Sequence, residues 1–221
     1  MTVLREKIGR LRLVTSRLDP VYCRGRSSLA SILLWNWTRQ GCLVPPPLVY
    51  KHQELRRYAE AYDLRVLIET GTFLGDTVYH FRHRFEQILS IELSEDLVKR
   101  ARRRFRRTPH VEILEGDSEI VLGELVRKLE LPALIWLDAH FSGGVTARGE
   151  RETPVIRELE ILLDASPNHI VLVDDARFFG TDSAYPTLTD VRTLVKNRRP
   201  GYEMDVVHDI IRIFPSHGKG S

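Results

Sequence analysis

The chain has 221 residues, 43% hydrophobic and 29% charged; at ~150 residues per domain this implies one well-cored domain with an appended segment, not a disordered chain. Its longest apolar run, around Ser31 to Trp37, is too short for the ~20 residues of a membrane span, and two cysteines, Cys23 and Cys42, exclude a disulfide framework and a Cys-rich zinc site. The net charge of +3 is uneven, since residues 1–47 carry +6 and the remainder −3, which argues against a nucleic-acid-binding body and leaves the basic arm able to touch anions or a membrane surface.

In chain order, residues 1–47 read as an N-terminal appendage that serves as a helix, lid, docking arm or oligomerisation element. Arg5, Lys7, Arg10 and Arg12 interleave with Leu and Ile, a pattern not expected of a secretory leader, so a soluble cytoplasmic protein is expected. Leu29 to Trp37 reads as a short helix packed on the body, or as an interfacial membrane or partner helix favoured by its Trp and flanking Arg. Exposed Trp35 and Trp37 would be better buried, which makes a homodimer an expectation. Pro45-Pro46-Pro47 stops this segment.

Residues 48–221 alternate between strand-like and helix-like stretches. Tyr50–Tyr62 has Leu55, Tyr58, Ala59 and Tyr62 at helical spacing. Expected strands are Val66–Ile68, Ile88–Ile91, Val111–Leu114, Ala133–Leu137 and Ile170–Val173. Expected helices between and after them are about Gly75–Phe85, a Ser94-capped helix through Phe105, Ser118–Leu129, Pro154–Leu163 and about Thr189–Asn197. Two closing strands, Tyr202–Val207 and Ile210–Phe214, are joined too tightly for a helical crossover and should pair antiparallel. The fold class is therefore α/β: a doubly wound, mostly parallel seven-stranded sheet with an antiparallel C-terminal pair. Its ligands belong at the carboxyl ends of the strands.

Those ends carry polar residues in sequence. The first strand runs into Glu69-Thr70-Gly71-Thr72-Phe73-Leu74-Gly75-Asp76-Thr77. Gly71 allows a sharp turn and Gly75 a close backbone approach to a ligand. Glu92 ends the second strand, where a carboxylate can accept from a ribose diol. Glu115-Gly116-Asp117-Ser118 follows the third, with side chains able to meet an adenine edge or to cap a helix.

This combination resembles the class I methyltransferases that use S-adenosylmethionine (SAM), in particular the metal-dependent catechol and macrocin O-methyltransferase branch. The resemblance covers about Tyr50 to Phe214. It rests on Glu-x-Gly-x-x-x-Gly-x-Thr at Glu69–Thr77, which lacks the middle glycine of the dinucleotide fingerprint, as that branch does. It implies that SAM is bound by Glu69, Gly71, Thr72, Gly75, Thr77, Glu92, Asp117 and Ser118. Glu69, Gly71 and Gly75 would surround the methionine moiety, Glu92 would hold the ribose, and Asp117 with Ser118 would lie near the adenine.

The fourth strand ends in Asp138-Ala139-His140 and the fifth in Asp174-Asp175-Ala176-Arg177. Neighbouring strands would bring Asp138, Asp174 and Asp175 together, and three carboxylates repel unless protonated or bridged by a cation. Such hard oxygen ligands suit Mg²⁺ or another divalent cation. Without a metal, one Asp caps a helix and another pairs with Arg177 or Arg148. The resemblance favours the metal, because the metal-dependent enzymes place Asp after the fourth strand and Asp-Asp or Asp-Asn after the fifth. Where those enzymes carry a lysine base, Phe141 stands here. His140 is then the nearest general base, a metal or substrate ligand, or a structural histidine.

Ser142–Glu150 reads as a Gly-rich lid or an ordinary solvated loop; Arg148 in it, and Arg177, are candidate contacts to an acidic substrate. The run Arg102-Arg103-Arg104-Phe105-Arg106-Arg107 reads as a solvated helix end, because cations there complement the helix dipole. The expected activity is Mg²⁺-assisted methylation of a hydroxyl on a small-molecule or sugar-containing acceptor, with Asp138 and His140 catalytic and no nucleic-acid partner. The alternatives are a metal-dependent phosphoesterase built on Asp138, His140, Asp174 and Asp175, and a non-catalytic partner-binding module.

Overall fold

The computed structural model describes residues 28–138 and 154–216. The chain divides into two compact units, Met1–Asp63 and Leu64–Ser221. Among the described residues no helix is long and apolar enough to cross a membrane.

In the first unit the Trp-containing stretch is helical, as expected: α1 spans Ser28–Arg39 and α2 spans Leu48–Ala61. Pro47 takes the N-cap position of α2 at φ −65°, a conformation proline holds without cost. Trp37 is buried, packs tilted against Tyr50 with ring centroids 4.6 Å apart and donates its indole N–H to the Leu43 carbonyl at 2.6 Å. It therefore needs no second subunit to cover it, which corrects half of the rationale for a dimer. Trp35 remains 59% exposed.

In the second unit, β1 (Val66–Thr70), β2 (Gln87–Glu92), β3 (Val111–Glu115), β4 (Ala133–Leu137), β5 (Ile170–Val173), β6 (Tyr202–Val207) and β7 (Ile210–Pro215) form one sheet of seven strands in the order β3-β2-β1-β4-β5-β7-β6. Pairings are parallel from β3 to β5, while β5–β7 and β6–β7 are antiparallel, as the short final connection requires. Strands β1, β4 and β5 are buried along their whole length, the pattern of a sheet covered on both faces.

Between the strands run α3 (Asp76–Phe81), α4 (Glu95–Phe105), α5 (Ser118–Val126), α6 (Val155–Asp164) and α7 (Leu188–Arg198). Val66, Ile68, Leu89, Ile91, Ile135 and Val171 point to one core with Leu122, Leu159, Leu162 and Val191 from α5, α6 and α7. Alternation along each strand therefore puts Leu67, Glu69, Ser90 and Glu92 on the opposite face.

Several element ends depart from the sequence reading. Helix α3 stops at Phe81, not Phe85, because the chain turns with the Arg84 N–H on the Phe81 carbonyl at 2.8 Å. Phe85 still reaches the core by packing edge-on against Phe81 at 5.6 Å. Helix α5 ends at Val126 rather than Leu129, tightening into a Lys128 N–H to Leu125 carbonyl bond. Ser94 holds the N-cap position of α4, yet its hydroxyl makes no capping bond; its backbone N–H instead donates to Glu92 Oε1 at 2.9 Å. Pro154 is the N-cap of α6, one position before its first turn. Helix α7 opens on a Thr187–Asp190 capping box, a readable signal that fixes its start at Leu188, one residue earlier than periodicity did. The five arginines of the Arg102–Arg107 run are exposed at the end of α4 while Phe105 between them is buried, with Arg104 bonded to the Leu74 carbonyl and at 2.8 Å to Asp76.

At the far end of the sheet His169 precedes β5, and its Nδ1 accepts the Ala133 N–H at 3.2 Å. Burial, then Arg199, holds its imidazole neutral, with the pKa lowered from 6.5 to about 4. A depressed histidine pKa gives stability that is present above 6.5 and lost as pH falls toward the folded value. Denaturant unfolding between those limits should show a loss of roughly 3 kcal/mol, and His169→Gln, which keeps an acceptor but cannot titrate, should flatten that acid limb.

Candidate functional site

The site is built where β1 runs out. Gly71 takes φ +85° and Gly75 φ +74°, the left-handed region open to glycine at little cost. The Gly71 and Thr72 N–H groups both donate to the Ile91 carbonyl, at 2.9 and 3.2 Å, pinning the loop to β2. A methyl group at Gly71 would lie 3.5 Å from Asp138 Cβ, so this loop directly adjoins the end of β4. At Gly75 a Cβ would come within 2.8 Å of the Phe105 ring. The close approach that this glycine permits is thus made by α4.

Register explains the buried carboxylate beside the loop. Glu69 and Ser90 are paired residues of β1 and β2 on the same face, and the Ser90 hydroxyl donates to Glu69 Oε2 at 2.7 Å. Thr72 shares a hydrogen with Ser90 at 2.7 Å, and Thr77 bonds to Glu69 as well. Burial outweighs these bonds and, with Asp138 and Glu92 nearby, pushes the Glu69 pKa from 4.5 up to about 8. Near neutral pH this carboxyl carries a proton.

Glu92 ends β2 buried, with Oε2 accepting from Phe73 N–H at 2.8 Å and Oε1 from Ser94 N–H. Each oxygen retains a further lone pair for a ligand hydroxyl. Phe73, at φ +47°, is exposed over this carboxylate. After β3, Asp117 caps α5 through Oδ1 to Glu119 N–H at 3.0 Å, the capping role that sequence left open. Ser118 bonds to Glu158 of α6, a carboxyl that burial raises from 4.5 to about 7.

The three aspartates do converge. Leu137 and Val173 are register partners, so Asp138 and Asp174 leave the sheet side by side, with the Asp138 N–H on the Thr70 carbonyl and the Asp174 N–H on the Leu137 carbonyl. One carboxylate oxygen from each of Asp138, Asp174 and Asp175 lies within 4.8 Å of the others. Asp174 and Asp175 are buried and Asp138 partly so. Asp175 sits at φ +59°, and its N–H donates to Asp174 Oδ1 at 2.9 Å. That unusual turn sends successive aspartates into one site.

Arg177, expected at the substrate, is held in this cluster. Its guanidinium donates to Asp175 Oδ1 at 2.7 Å and to Asp209 Oδ2. Desolvation opposes its charge, but Asp175 and Asp209 outweigh that and hold its pKa above the ordinary value. Asp209 was not singled out from the sequence. It lies with His208 at positive φ in the two-residue turn joining β6 to β7, takes the Arg177 N–H on Oδ1 at 2.7 Å and the Ala176 N–H on its carbonyl at 2.9 Å. The signal was available: a last strand antiparallel to the fifth returns its turn to the carboxyl end of that strand. Ser90, the partner of Glu69, was missed because register is not printed in one strand alone. His140, Phe141, Arg148 and the Ser142–Glu150 lid lie outside the described residues.

No family model matches the chain, and no curated protein sequence matches it either. Solved structures do. An O-methyltransferase from Bacillus cereus in complex with S-adenosylhomocysteine (SAH) aligns at TM-score 0.54 and 15% identity, covering 93% of this chain and 96% of that one. The SAH-bound Podospora anserina methyltransferase aligns at 0.53 and 17%, covering 96% of both. The O-methyltransferase TomG from Streptomyces achromogenes, in complex with SAM and involved in tomaymycin synthesis, aligns at 0.53 and 16%, covering 87% and 91%. At these identities the likeness is one of fold: this is the Rossmann-like fold of the class I SAM-dependent methyltransferases.

Asp209→Asn keeps a residue tolerant of the left-handed turn and removes the charge that shares Arg177 with Asp175. Urea unfolding should register a loss of about 1–2 kcal/mol; an unchanged midpoint would show that the Arg177 clamp does not stabilise this end of the sheet.

Proposed function

We propose that the chain is a SAM-dependent O-methyltransferase of the cytoplasm that acts on a hydroxyl of a small-molecule or sugar-containing acceptor, assisted by a divalent cation such as Mg²⁺. In this reading residues 48–221 are the catalytic domain and residues 1–47 an appendage to it. The observation that carries it is the carboxylate cluster of Asp138, Asp174 and Asp175 next to the Gly71 loop, with oxygens within 4.8 Å. The donor set is all hard oxygen, which fits a divalent cation of the Mg²⁺ kind. Bound there, such an ion supplies Lewis acidity toward a substrate hydroxyl.

The protein's own groups do the rest by position and charge. Glu69 is the acidic group against which the cationic methionine end of the donor would rest, and Glu92 accepts from the ribose hydroxyls with the oxygen lone pairs that Phe73 and Ser94 leave open. Asp117 and Ser118 flank the adenine. Arg177 and Asp209 hold Asp175 in place, and this ion pair, not direct substrate contact, is the role the contacts support for Arg177. His140, two residues after Asp138 in sequence, is assigned the hydroxyl proton. Methyl transfer then needs alignment and proton removal but no covalent enzyme intermediate.

Calorimetric titration with SAM, with and without Mg²⁺, followed by mass spectrometry of a mixed acceptor library, tests the reading. Asp174→Ala should abolish turnover, by at least about 100-fold, and leave SAM affinity within about threefold; undiminished methylation by that variant in the presence of a chelator would remove the metal from the mechanism. A second expectation follows from the Glu69 carboxyl, whose pKa stands near 8 in the ligand-free protein. A cationic ligand beside it stabilises the ionised form, so SAM binding near neutral pH should release about one proton. Binding enthalpies would then differ between phosphate and Tris buffers in the wild type and coincide in Glu69→Gln.

A further inference from the structure

Helix α1 presents two apolar faces. At ~100° per residue, Leu34 and Trp37 fall on the side that is buried. Leu29, Ile32, Leu33 and Trp35 occupy the other side and are 47–65% exposed. Leu29, Ile32 and Leu33 follow at helical i, i+3, i+4 spacing, so Leu29 is a surface neighbour of both. Asn36 and Arg39 lie within that arc, and the Arg39 guanidinium is 4.7 Å over the Trp35 ring. Beyond the helix, Leu43, Val44 and Leu48 are exposed too. An exposed apolar surface of this extent on a folded protein marks something that covers it.

Charge identifies the cover. Residues 1–27, which precede the helix, hold seven Lys and Arg against Glu6 and Asp19, and no acidic residue occurs between Asp19 and Glu54. The apolar face thus sits in a wholly cationic stretch. A second copy seated on it by a two-fold axis would set +6 against +6 and be repelled. A lipid surface bearing negative headgroups offers both an apolar layer and the opposite charge.

We infer that α1 is an interfacial anchor, which lays Leu29, Ile32, Leu33 and Trp35 into the acyl boundary of an anionic lipid surface with Arg39 at headgroup level. Its twelve residues are about 18 Å long, so it lies along the surface. The Trp35–Arg39 pair has an apolar body and a charged rim, the combination found at headgroup level. Outside residues 1–47 the net charge is −3, so the basic excess of the chain lies with the segment that carries α1.

The test is co-sedimentation of the full chain with extruded vesicles of phosphatidylcholine alone and of phosphatidylcholine with about one quarter phosphatidylglycerol. The wild type should partition at least about tenfold more strongly onto the second, and about 0.5 M NaCl should remove most of that difference. Combined Leu29→Ser, Ile32→Ser, Leu33→Ser and Trp35→Ser should lower partition by at least about tenfold with an unchanged unfolding midpoint. Should that variant not fold, Trp35→Phe in the wild-type background provides the reading: tryptophan quenching by spin-labelled lipid should be strong in the wild type and largely lost in the variant. Equal partition onto both vesicles, none onto either, or quenching unaltered by Trp35→Phe would overturn the inference. So would a concentration-dependent dimer that the fourfold variant abolishes while vesicles bind neither protein, since α1 would then be a self-association face.

Discussion

Like charges at close range govern the architecture of the sheet's carboxyl edge. At an effective dielectric of about 20, two carboxylates about 5 Å apart repel by roughly 3 kcal/mol, and Asp138, Asp174 and Asp175 present three such pairs within 4.8 Å. Strand register forces the meeting, since parallel β4 and β5 end together at Leu137 and Val173. The Asp175 N–H on Asp174 and the Arg177 guanidinium on Asp175 offset part of the repulsion. Arg177 brings one positive charge, which Asp209 shares. The surplus of negative charge is the physical basis for assigning a divalent cation there, while the ion pair explains how the ligand-free chain keeps the cluster assembled.

Glu69 answers the same constraint in another way. Its burial on the face shared with Leu67 and Ser90 brings no counter-cation to it among the described residues, and the group holds its proton instead of its charge. Glu69 thus meets burial by keeping its proton, while Asp175 meets close approach to its neighbours through the Arg177 ion pair. Gly71, whose missing side chain lets the β1 loop lie against Asp138, joins Glu69 to the aspartate cluster.

The sheet was legible because its strands are short apolar runs between amphipathic helices, and a tight final connection leaves only an antiparallel ending. β4 and β5 were read to the residue, since Ala133–Leu137 and Ile170–Val173 are bounded by polar or proline-bearing turns. Helix ends were less so, because Phe85 and Leu129 continue a periodicity that the backbone has already left through turns at Arg84 and Lys128. The aspartates of the cluster were readable from their place after strands. Asp209 was not, because its role depends on a hairpin closing against β5 from a distance of more than thirty residues. Gly75 had a sound conformational reading, but only packing reveals that Phe105 occupies the space beside it.

That closing hairpin has a consequence for the order in which the molecule is made. During synthesis the N-terminal parts of a domain emerge and fold first, and the acidic cluster's three aspartates are all present by residue 175. Its clamp is not, because Asp209 and the strand that carries it to β5 come last. A nascent or truncated chain ending before the β6–β7 turn would hold the anionic residues and Arg177 without the Asp209 contacts that fix Arg177. The aspartate cluster is thus finished by nearly the final stretch of sheet to be added, which ties completion of this edge to completion of the fold itself.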